Sequence, residues 1–158
     1  MTAERIDYKT LRDFELGISA NLQTTEENLQ KLCPLGEVEC FKLVLEESDI
    51  QRVFLCTAPD FATYTKNQSF RLIDTCEAAR NDPTVSCLLS KNVDLSKSNK
   101  WAPVFISPNY DKGSLVAFDG NHRLMAHFLM HEGTKGVQAF LLVHQNTIDW
   151  PWFPDNAK

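Results

Sequence analysis

The sequence predicts an α/β domain in which a small mixed sheet is flanked by helices. Apolar runs of strand length lie at residues 38–45, 103–106, 115–118 and 137–143. Between them, apolar residues recur at helical spacing, as in Phe70 with Ile73 and Leu124 with Phe128. The chain has 158 residues, 43% of them hydrophobic and 23% charged. That suits one soluble domain, residues 1–158, of a size that buries roughly 68–70% of its unfolded surface.

Residues 1–34 read as an N-terminal helical segment. Leu11, Phe14 and Ile18 share a helical face, and Thr24 with Glu27 three positions on has the form of a capping box. A short helix from there to about Leu32 ends near Pro34 and Gly36. In the strand at 38–45, Val38, Cys40, Lys42 and Val44 share one face, while Glu39, Phe41, Leu43 and Leu45 share the other. Glu37, Glu39 and Lys42 are either charges protecting a sheet edge or polar groups near a site. Asp49 is expected to cap a turn before residues 50–55. A helix is predicted over 67–80, with Phe70, Ile73 and Ala78 inward, ended by Pro83. Arg71 on that helix is either solvated or able to reach a bound phosphate. Residues 90–100 form a polar loop suited to a lid or insertion.

The chain is organised around residues 101–144. Two strands flank the turn formers of 107–113, so the pair reads as a hairpin. A helix follows, stopped by Gly133 and Gly136, and then a last strand. At the junction of strand and helix stands Asp119-Gly120-Asn121-His122-Arg123. A helix start presents N–H groups with no intrahelical partner and the positive end of a dipole. Gly120 permits a sharp bend and a close approach. Arg123 can fork two hydrogen bonds onto phosphate, and His122 adds a donor. The motif is therefore an anion site, or else Asp119 or Asn121 simply caps the helix and His122 and Arg123 are solvated.

A strand ending in Asp-Gly-x-His-Arg and leading straight into an apolar helix resembles the ParB/sulfiredoxin superfamily. The resemblance covers about a third of the chain, and it implies a ParB/sulfiredoxin-like fold. It also implies that Gly120, Asn121, His122 and Arg123 hold nucleotide phosphates. The implied ligand is a nucleoside triphosphate (ATP or CTP), or another phosphorylated small molecule, with Mg²⁺ in attendance. As a catalytic set the resemblance points to Asp119, His122 and Arg123 in an NTP-dependent hydrolase or phosphotransferase. Asp119 would place Mg²⁺ or a nucleophile, and Asp119 or Glu39 could serve as a base. The alternative is a catalytically inactive regulatory or protein-interaction module of the same fold. Sulfiredoxin carries its nucleophilic cysteine where this chain has Asn121, so sulfinic acid repair is not implied. The helix-turn-helix domain of partition proteins has no counterpart here.

Other classes are disfavoured. The net charge of −5 argues against nucleic acid as the main partner, and against a ParB-like nuclease. No run reaches the ~18 apolar residues of a membrane span, and no charged-then-apolar leader precedes Tyr8. Five cysteines, Cys33, Cys40, Cys56, Cys76 and Cys87, show no Cys-x-x-Cys pair, which fits a reducing cytoplasm better than a disulfide framework or zinc knuckle. His127 and His131 are four apart, but no His-Glu-x-x-His pattern or further ligand accompanies them, so no metal site is expected. The aromatic tail at 145–158, with Trp150, Trp152 and Phe153, is expected to clamp over the core. Otherwise it offers those rings to a protein partner.

Overall fold

The computed structural model describes residues 1–16, 22–59, 69–81 and 102–158. Among these, six strands join in one mixed sheet. They are β1 (Thr2–Ile6), β2 (Glu39–Val44), β3 (Val53–Phe54), β4 (Val104–Ser107), β5 (Leu115–Asp119) and β6 (Gln138–Val143). Their order across the sheet is β1-β2-β6-β4-β5-β3. The β4–β6 and β3–β5 pairs are parallel, and the other three are antiparallel. The helices are α1 (Tyr8–Leu16), α2 (Leu22–Leu32), α3 (Leu72–Ala79) and α4 (Asn121–His131).

The apolar runs became the middle of the sheet. Every residue of β4 is buried, and so is every residue of β6 after Gln138. Continuous burial means that both faces are covered, as unbroken apolar strands require. Phe105, Ile106, Leu115, Leu141 and Leu142 are completely enclosed, each worth roughly 1.5–3 kcal/mol relative to exposure. The predicted hairpin is β4–β5. Arg52 braces its turn by donating to the carbonyls of Gly113 (2.8 Å) and Tyr110 (3.3 Å). α3 packs on α4, and α1 packs on α2 and β2.

The first 34 residues depart from the helical expectation. They begin with a strand, β1, at the sheet edge, and only then turn helical. Glu4 and Arg5 of β1 are exposed while Ala3 and Ile6 are half-buried, so no apolar alternation marks the strand. Arg5 instead meets Glu39 across the pair at 2.9 Å. α2 already begins at Leu22, so Thr24 lies inside it and is not its cap. α3 is shorter than the predicted helix, and residues 67 and 68 fall outside the described residues, as do Ile18, Trp101 and the loop at 90–100. Asp49 does cap a turn: its carboxylate accepts from the Glu46 N–H at 2.8 Å in a reciprocal capping box.

β2 is an inner strand, flanked by β1 and β6, so Glu39 and Lys42 are not edge charges. Register separates both from the helix-start turn. Lys42 is level with Phe140, Phe140 with Val104, and Val104 with Asp119. Three strand spacings put them about 14 Å apart. Glu39 pairs with Val143, which is level with Ser107 at the opposite end of the sheet.

Candidate functional site

The candidate site is built where β5 ends and α4 begins. Gly120 occupies the turn with φ +83° and ψ 15°, the left-handed region that strains any residue with a Cβ. Space enforces the same choice. A Cβ at Gly120 would sit 3.0 Å from the Pro103 Cα, an atom of backbone that cannot rotate away. The Gly120 carbonyl then accepts from the Leu124 N–H at 2.9 Å and starts the helix. Asp119 folds back on the turn. Its Oδ1 accepts from the Gly120 N–H at 2.7 Å, and its Oδ2 lies 3.8 Å from Nη2 of Arg123, one helical turn on. A carboxylate thus rests at the positive end of α4, where the dipole favours it.

Asn121 faces the other way. It is only 7% exposed, and its amide is committed inside the fold. Nδ2 donates to the Ala117 carbonyl at 3.1 Å, and Oδ1 accepts from the Cys56 N–H at 3.1 Å. This side chain stitches the helix start to β5 and to the chain leaving β3. Of the four residues predicted to bind phosphate, Asn121 therefore has its side chain committed to the fold. His122 and Arg123 are half-buried, with the Arg123 side chain 18% exposed beside Asp119. Asn121, His122 and Arg123 form the first turn of α4, so their N–H groups lie at the positive end of its dipole.

Beside the turn lies a pocket of about 190 Å³, lined by Cys56, Ala58, Phe118, Asn121, Trp150 and Trp152. The tail reaches it because the Thr57 N–H donates to the Trp152 carbonyl at 2.9 Å. Trp150 is buried and its ring packs on Phe118 with centroids 4.8 Å apart; Trp152 meets Trp150 edge-on at 5.7 Å and stays 42% exposed. Phe153 is buried as well, so the tail clamps through Trp150 and Phe153 and leaves Trp152 outward. A larger, open hollow of about 820 Å³ also borders Trp150, together with Phe70, Asp149, Asp155 and Lys158. The sequence marked the tail and the turn separately. Nothing in it signalled that Phe118, Cys56 and the two tryptophans would meet around one hollow.

The remaining candidates have other neighbours. Glu37 lies 3.7 Å from His144. Arg71 is exposed and sits 3.6 Å from Asp74 on its own helix. The His127 and His131 rings lie 4.5 Å apart at a tilt of 43°, and burial, then the neighbouring His131, holds the His127 imidazole below its ordinary range. Among the described residues, no three His, Cys, Asp or Glu side chains gather as a metal-ion group. Cys33, Cys40, Cys56 and Cys76 are buried and outside any disulfide. Burial pushes Cys76 up to about 12 and Cys40 to about 11, so neither is a thiolate near neutral pH. No helix among the described residues is long and apolar enough to cross a membrane.

Comparison with protein-family models, curated proteins and solved structures gives no match to this chain.

Proposed function

We propose that the chain is a ParB/sulfiredoxin-like domain that binds a nucleoside triphosphate, with the phosphates at the head of α4. The observation that supports this reading is the turn itself. A glycine that geometry and packing both demand brings bare backbone to a helix start, with Arg123 in the first turn. Nests of this kind favour anions through fixed N–H groups and the dipole together. Gly120 would shape the turn, and the backbone of Asn121 to Arg123 with the His122 and Arg123 side chains would hold the phosphates.

Turnover as an NTP-dependent hydrolase or phosphotransferase would use Asp119. Its carboxylate is the acidic group at the helix head. Mg²⁺ needs only one or two carboxylates when phosphate oxygens supply the rest, so Asp119 fits it as a ligand. The ion would neutralise phosphate charge as the terminal bond breaks. The chain's own contribution would be to fix the phosphates through Arg123 and the helix N–H groups. Arg123 would exchange its contact with Asp119 for the phosphates.

A thermal-shift screen against ATP, CTP, GTP and ADP, with and without Mg²⁺, tests the reading. A ligand at ~100 times its Kd raises Tm by about 5–11 °C for a chain of this size. Arg123→Ala is expected to abolish the rise, and an undiminished rise in that variant would place the ligand elsewhere. Phosphate release distinguishes an enzyme from a binder. A second reading, an interaction module without chemistry, is favoured by the outward Trp152. It expects a flat ligand screen and a pull-down lost in Trp152→Ala.

A further inference from the structure

We infer that the pocket beside the helix start is a subsite for a planar heteroaromatic ring, namely the base of the proposed nucleotide. Its size sets the scale of the occupant. Whole small-molecule sites span roughly 300–1,000 Å³, and this hollow offers about 190 Å³. It admits a ring-sized fragment while the rest of the ligand lies outside. The walls set the chemistry. Phe118, Trp150 and Trp152 present aromatic surface, and Ala58 and Cys56 leave room between them. Aromatic faces and edges receive a flat, electron-poor ring better than an aliphatic chain of equal volume. Asn28 adds an amide to the lining, able to donate to or accept from the edge of a heterocycle.

The position links ring and phosphates. Asn121 lines the pocket and is also the first residue of α4, so the ring site adjoins the residue at which the helix begins. Rigidity is supplied by hydrogen bonds already in place: Cys56 N–H to Asn121, and Thr57 N–H to the Trp152 carbonyl. They hold two adjoining walls to one short segment after β3. The exposure of Trp152 also finds a use. A 42% exposed indole above a hollow is a stacking platform awaiting its partner.

The identity of the occupant rests on the nucleotide reading above, and the experiment separates the two. Tryptophan fluorescence and calorimetry on the full chain compare three probes: ATP, inorganic tripolyphosphate and adenosine. The expected result is that Trp152→Ala weakens ATP and adenosine roughly 10-fold and leaves tripolyphosphate unchanged. Trp152→Phe, which keeps a ring, restores most of the loss. Trp152 is exposed, so its removal leaves the core intact. ATP and tripolyphosphate binding alike, both indifferent to Trp152→Ala, would overturn the ring subsite and leave the phosphate site standing. Adenosine binding that depends on Trp152, with no binding of tripolyphosphate, would support the ring subsite and overturn the phosphate reading. No binding of any probe to the unmodified chain would overturn both.

Discussion

α4 is bounded at both ends by left-handed residues, and the two ends handle that conformation differently. At its start Gly120 has φ +83°, with Pro103 backbone against the space a Cβ would need. At its end Glu132 has φ +53°, is exposed, and closes the helix through its N–H to the Phe128 carbonyl at 2.7 Å. A left-handed glutamate is strained, yet an open surface tolerates it. The helix start has no such latitude, since conformation and space both select glycine. At this end the glycine is specified twice over, by its left-handed conformation and by the Pro103 backbone that fills its open side.

The largest expected effect breaks the start. Asn121→Ala removes both inward hydrogen bonds and strands the Cys56 N–H and the Ala117 carbonyl, each costing about 1–3 kcal/mol. Urea unfolding should show a loss of about 2–4 kcal/mol. A loss under 1 kcal/mol would mean that water replaces the amide and that the start is less constrained than described.

A smaller effect of opposite sign is expected at the other end. Glu132→Gly relieves the left-handed strain and should stabilise by about 0.5–1 kcal/mol. The lost pair with Arg80, 3.5 Å away and exposed, subtracts little. Destabilisation would show that this end, too, depends on its side chain.

The smallest effect is a pH dependence seated in the last turns of α4. Burial and then His131 lower the His127 pKa, so the unfolded chain takes up this proton first. The folded chain is therefore favoured fully above the ordinary imidazole value of 6.5. Stability declines as pH falls below that value and levels off once the folded His127 is also protonated. Tm measured from pH 7.5 to 5 should lose part of its slope in His127→Gln. An unchanged slope would assign it to another group.

The sequence made the middle of the sheet legible because those strands are apolar without interruption, and α4 legible because its apolar spacing and glycine stops agree. β1 was not legible. As an edge strand it needs only Ala3 and Ile6 against the core, and its charges read as surface. β3 is two residues long, too short for any periodicity. At the site, Gly120 stood out because glycine has few reasons to sit between a strand and a helix. Asn121 could not be read: an asparagine at a helix start looks the same whether its amide caps, binds or turns inward. Likewise Trp150 and Trp152, two positions apart, look equivalent until the fold buries one and exposes the other.

The place of β6 has a consequence in time. It lies between β2 and β4, although it is the last of the six strands to be synthesised. At roughly 5–20 residues per second, a ribosome delivers it several seconds after β2. Until then β2 can pair with β1 but carries a bare edge on its other side, and the β4–β5 hairpin has no bridge to it. The nascent chain therefore holds two unjoined pieces of sheet, an aggregation hazard that lasts until β6 emerges.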